Sequence, residues 1–112
     1  MQRLWFVSAG LAGCAAVALA AIGAHVAGEA RGMVDSVAMI LGWHAPALLG
    51  LGLWNTRGGH AAAALMLAGV VLFGGAVLLR AFGGISLGPV APIGGFAMMA
   101  GWLAVAVAAL RR

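Results

Sequence analysis

The sequence predicts an all-α integral membrane protein, a four-helix antiparallel bundle, and three observations carry that prediction. Hydrophobic residues make up 65% of the 112-residue chain and charged residues 7%, whereas a soluble domain carries about 25% charged residues. The few charges punctuate four long apolar windows, at 4–28, 36–54, 61–80 and 92–110. A bilayer core about 30 Å thick takes about 20 helical residues to cross, so each window is a complete span. The connections between them are too short for a separate soluble domain, and residues 1–112 read as one unit.

The first window follows Arg3 and could be misread as a targeting segment. Within it Leu11-Ala12-Gly13-Cys14 resembles a lipoprotein cleavage motif. The apolar stretch before the motif is short, however, and cleavage at Cys14 would cut a full span in two. A retained first helix is therefore expected, with a small-residue stripe at Ala9, Gly13, Ala16, Ala20 and Gly23. The single cysteine can form no internal disulfide.

The second window is interrupted by His44 and Pro46. Pro46 removes a backbone donor in mid-helix, which kinks the helix or leaves a carbonyl for another partner. Its small-residue stripe is Ala38, Gly42, Pro46 and Gly50. The third window is uninterrupted up to Arg80. The fourth opens at Pro92, where a missing amide hydrogen costs nothing, and carries Ala97, Gly101, Ala104 and Ala108 on one stripe. In lipid, such stripes let helix backbones approach closely.

The six arginines and two acids give a formal charge of +4, but the arginines are dispersed among apolar runs and form no nucleic-acid-binding face. Arg3, Arg57, Arg111 and Arg112 fall on one side of the four spans, Arg31 and Arg80 on the other. Basic residues near helix ends are retained in the cytoplasm, so both termini are expected there. Trp5 and Trp54 then lie near the cytoplasmic interface, while Trp43 and Trp102 sit deeper as packing residues.

Gly23-Ala24-His25 at the end of the first span, His44-Ala45 within the second, and the run from Gly88 through Pro92-Ile93-Gly94-Gly95 to Gly101-Trp102 recur in that order in a known family. On these segments the chain resembles the small bacterial inner-membrane proteins of the YgdD and YwdK type, to which the eukaryotic transmembrane protein 256 group is related. The resemblance implies four transmembrane helices in a bacterial inner membrane and brings no established activity. The chain departs from the pattern at Arg80, where the family is usually apolar, and it has no tyrosine before His44.

Ionisable side chains in a span are expensive and become functional candidates by default. His25 and His44 could tie the bundle together through hydrogen bonds to backbone or to each other, ligate a metal or haem, or relay a proton. His25 and Glu29 lie four apart, on one helical face, near Asp35 and Arg80 on the outer side, which makes His25, Glu29, His44 and Arg80 the candidate polar cluster. The cluster could hold a divalent cation, or the acids could belong to a solvated loop in which Arg31 pairs locally. His60 reads as an exposed loop residue.

The glycine-rich third connection leads into a helix N-terminus. There Gly88, Pro92, Gly94 and Gly95 could bind a lipid headgroup or other anion, or simply form a re-entrant turn. Cys14, Met39, Met66, Met98 and Met99 read as packing or lipid-facing residues rather than a soft-metal path. No nucleophile has a base and acid at motif spacing. The sequence thus favours a non-enzymatic accessory, stabilising or self-associating membrane component without metal or cofactor, whose partners are the lipid bilayer and a homo-oligomer or larger membrane complex. A small-solute or ion transporter or channel using His25 and His44 is the alternative, followed by a haem-, metal- or quinone-binding subunit.

Overall fold

A computed structural model of the chain describes residues 1–111; Arg112, one of the arginines used for orientation, lies outside them. Four helices follow one another: α1 (Gln2–Gly23), α2 (Glu29–Trp54), α3 (Arg57–Gly83) and α4 (Val90–Leu110). All four are long and apolar enough to cross a membrane. They form an all-α antiparallel four-helix bundle of 47 × 26 × 18 Å.

The helix limits follow local chemistry more closely than they follow hydropathy. Gly28, at φ 71 and ψ −153, lies in a backbone region that suits glycine alone, and it ends the turn between α1 and α2. α1 therefore stops at Gly23, short of the apolar window's end at 28. α2 begins at Glu29 rather than at 36, with an acid in the first turn where the helix dipole favours it. Residues 29–35 thus form two helical turns instead of a loop, and Val34 and Val37 from that end of the helix are fully buried.

The α2–α3 connection is only residues 55–56. Asn55 ends α2 in the left-handed conformation, and the hydroxyl of Thr56 accepts the Gly59 N–H at 3.0 Å to cap α3. α3 ends at the left-handed Gly84, whose N–H donates to the Arg80 carbonyl at 3.1 Å. Pro92 lies in the first turn of α4, where it breaks no helical hydrogen bond.

The bundle consists of two close hairpins, α1–α2 and α3–α4, joined along an α2–α3 seam. The closest approach is between α3 and α4, and it rests on Gly101 of the expected α4 stripe, on Gly94, and on Gly69 of α3, which the sequence pattern does not mark. A Cβ on Gly94 would lie 2.5 Å from the Phe73 nitrogen and 2.8 Å from the Gly69 carbonyl oxygen. A Cβ on Gly69 would lie 2.6 Å from the Gly94 carbonyl oxygen, and one on Gly101 would lie 2.7 Å from Met66 Cγ. In the α1–α2 seam Gly13 opposite Ala45 and Gly42 opposite Ala16 are at ordinary contact distance, whereas a Cβ on Gly52 would lie 2.8 Å from Phe6 Cε1. Of the expected stripes, Gly50 faces open space.

Two apolar clusters fill the seams. One joins Trp5 and Ala9 to Leu48, Leu51, Ala62, Ala63 and Met66, with Ala104 and Val105 of α4 packed against it. The other, toward the opposite end, gathers Leu19, Val34, Val37 and Ala38, with Phe73 and Val77 packed around them.

The close α3–α4 approach makes a direct prediction. Gly94→Ala should destabilise the bundle by about 2 kcal/mol, the usual scale for overpacking. Gly95→Ala, at a position with no neighbouring atom within 4 Å, should change stability by no more than about 0.5 kcal/mol. Unfolding in mixed detergent would measure both; equal stability of the two variants would remove backbone contact as the reason for the glycine.

Candidate functional site

Polar groups from all four helices meet in two tryptophan–histidine pairs. His44, on α2, is 3% exposed. Its Nδ1 lies 2.8 Å from the Ile40 carbonyl oxygen, and its Nε2 lies 3.1 Å from Trp102 Nε1 on α4. A carbonyl can only accept and an indole N–H can only donate, so this geometry holds a neutral imidazole with its hydrogen on Nδ1. The two rings meet edge to face, with centroids 5.7 Å apart.

A second pair repeats the chemistry. Trp5 of α1, 2% exposed, donates its indole N–H to Nδ1 of His60 on α3 at 2.9 Å. The two helices of each pair, α1 with α3 and α2 with α4, are not neighbours along the chain. Each hairpin supplies one tryptophan and one histidine, and each hydrogen bond crosses from one hairpin to the other. Gln2 adds a third interhelical bond, from Nε2 to the Gly52 carbonyl at 3.0 Å.

All three bonds lie in the half of the bundle that holds the starts of α1 and α3 and the ends of α2 and α4. Trp5 and His60 are each three residues from their helix starts, about 5 Å in. His44 is ten residues from the end of α2 and Trp102 eight from the end of α4, so their bond lies about 12 to 15 Å in.

This arrangement corrects several expectations. His60 is half-buried in the first turn of α3 and accepts a hydrogen bond, rather than being an exposed loop residue. Trp5, near the start of α1, is buried in the core at 2% exposed, while Trp43 at 58% and Trp102 at 46% are exposed rather than packed away, Trp102 keeping its indole N–H on His44. His25 and His44 do not meet: His25 is exposed in the turn at 24–28, while His44 is fifteen residues along α2, about 22 Å from its start. α2 starts two turns before its apolar window, which lengthens that separation.

The remaining outer residues are dispersed over one end. Arg31 pairs with Asp35 at 3.8 Å on the exposed face of α2, the local pairing expected but on helix rather than loop. Asp35 also sits against Gly23, where an added Cβ would collide with its carboxylate. Glu29 and Arg80 are exposed and line adjacent surface hollows that share Met33 and Val77. Among the described residues, no three of His, Cys, Asp and Glu gather as a metal site. In the glycine turn, Gly88 takes φ 63 and its N–H reaches Ser86 Oγ at 3.4 Å. Gly94 is committed to α3, and Gly95 faces open space. Cys14 is exposed in mid-α1.

The missed pair left one signal in the sequence. A buried indole N–H needs an acceptor, and His60 opens the third span on the side where Trp5 opens the first.

Four apolar helices, each long enough to cross a bilayer and tied together by internally satisfied polar pairs, define a multi-pass helical membrane protein. The chain belongs to a family described as a protein of unknown function (DUF423), whose pattern its residues 19–95 match. That stretch includes His25, His44, His60 and Pro92-Ile93-Gly94-Gly95, while Trp5, Gly101 and Trp102 fall outside it. No curated protein and no solved structure matches the chain.

The pairwise hydrogen bonds can be weighed by mutation. Trp102→Phe should cost about 1 to 3 kcal/mol, because it leaves the buried His44 acceptor without a partner. In a double-mutant cycle with His44→Leu, the two changes should be non-additive by about 0.5 kcal/mol or more. Additive losses in detergent unfolding would show that the two rings do not act as a pair.

Proposed function

We propose that this protein is a non-enzymatic component of the bacterial inner membrane, of the YgdD and YwdK type and kin to the transmembrane protein 256 group, that acts through packing. It serves as an accessory, stabilising or self-associating element of a homo-oligomer or larger membrane complex. Both termini face the cytoplasm. The observation that carries this reading is that each interior histidine already has an indole N–H on a ring nitrogen that could otherwise bind a metal or carry a proton. At His44 the Ile40 carbonyl engages the other ring nitrogen as well, so a ligand there would have to break one of these bonds; at His60 the indole occupies Nδ1.

The distribution of arginine supports the orientation. Arg3, Arg57 and Arg111 lie at one end of the bundle, against Arg31 and Arg80 at the other. The exposed side chains of the spans support an apolar environment throughout, with Val17, Leu53, Phe96 and Leu103 each at least 66% exposed.

Native mass spectrometry of protein released gently from its own membranes tests the reading. The expected spectrum contains lipid or a partner chain and no stoichiometric metal or cofactor. His44→Ala should lower abundance and melting temperature together, while His25→Ala, at an exposed turn, should change neither. A cofactor lost on replacing either histidine, or a liposome flux abolished by His44→Ala in protein that still folds, would overturn it.

A further inference from the structure

Both acids of the chain, Glu29 and Asp35, lie at the end of the bundle that carries Arg31 and Arg80. The opposite end has cations without any carboxylate side chain to balance them. Two of these, Arg57 and Arg111, border the same surface hollow of about 460 Å³ between the start of α3 and the end of α4. Both are exposed, and neither has an ion-pair partner among the described residues.

The rest of the hollow is small and apolar, with Gly58, Ala61, Ala104, Val107 and Ala108 along its walls. Its remaining polar wall residue, Thr56, already uses its hydroxyl to cap α3. Beside Arg57 the helix start leaves the Arg57 and Gly58 amides without intrahelical acceptors, since Gly59 donates to Thr56 Oγ1 and His60 to the Thr56 carbonyl. A largely apolar hollow with two unpaired guanidinium groups at the end of the bundle has the polarity of a phospholipid, and its charge selects an anionic one.

We infer that this hollow is a binding site for an anionic phospholipid: the headgroup phosphate sits between Arg57 and Arg111, and an acyl chain descends along Ala61, Ala104 and Val107. Two features restrict the occupant. A freely soluble anion would leave the apolar walls unused, and a zwitterionic lipid would bring a cation toward two arginines. The site is at the opposite end of the molecule from Arg80 and the Gly88 turn, and it requires only that the four helices span a bilayer.

The test is a native mass spectrometry titration of the detergent-purified full chain with phosphatidylglycerol, with phosphatidylcholine of the same acyl chains, and with inorganic phosphate as competitor. The wild type should prefer phosphatidylglycerol. Each arginine near a membrane surface contributes about fivefold to anionic lipid affinity, so Arg57→Gln with Arg111→Gln should weaken phosphatidylglycerol by about 25-fold and leave phosphatidylcholine unchanged. Arg57→Lys with Arg111→Lys should retain most of the preference, and Arg80→Gln should retain all of it. Ala61→Phe, which fills the hollow and keeps both charges, should weaken phosphatidylglycerol as well. Equal binding of the two lipids, full phosphatidylglycerol binding by the double glutamine variant or by Ala61→Phe, or displacement of the lipid by inorganic phosphate at equal concentration would each overturn the assignment.

Discussion

An indole N–H and an imidazole nitrogen buried between helices in a bilayer must find partners within the protein, because the lipid offers none. The Trp5–His60 and Trp102–His44 bonds meet that requirement in the most economical way, with one donor and one acceptor in each pair. The second nitrogen of His44 reaches back one helical turn to Ile40, so that ring is satisfied on both sides. Because each bond crosses between hairpins, the satisfaction of the polar groups and the registration of the two hairpins are one constraint. A hairpin displaced along the seam by one turn would leave buried donors and acceptors unpaired together.

Apolar packing alone could not impose that register. In lipid, helix association depends on close fit, because the acyl chains are as apolar as the side chains. The α3–α4 hairpin obtains its fit from Gly69, Gly94 and Gly101, where backbone meets backbone or Met66. The α1–α2 hairpin combines ordinary contact at Gly13 and Gly42 with a close fit of Gly52 under Phe6 and Trp5. The α2–α3 seam between hairpins has no comparable glycine interlock, and there the tryptophans reach across.

Much of this was legible in the sequence, and the limits of legibility are physical. Four long apolar windows predict the four helices because a bilayer imposes both length and apolarity. The same criterion misplaced the start of α2, since hydropathy detects the membrane core while the helix itself continues outside it through the charged residues Glu29, Arg31 and Asp35. His44 could be read as a bundle-tying residue from its place within a span. His60 could not, because its role depends on Trp5, which is 55 residues away and brought near only by the parallel course of α1 and α3. The close contact on α3 was hidden by abundance: in a chain with 19 glycines, spacing cannot distinguish Gly69, pressed on α4, from Gly75, which faces open space.

The placement of these contacts also divides the molecule into unlike halves. The half containing the starts of α1 and α3 carries the interhelical bonds of Gln2, Trp5 and Trp102, together with the Trp5–Met66 cluster. The other half is held by the Leu19–Val37 cluster, and there Arg31 pairs with Asp35. It is also the end with the longer connections, at 24–28 and 84–89, both containing glycines at positive φ. Register is therefore set by directional bonds at one end, while the other relies on packing, through side-chain volume and the α3–α4 backbone approach at Gly94. A histidine at the depth of His44 thus finds its explanation in registration: it is the deepest point at which one hairpin is fixed to the other by a directional bond.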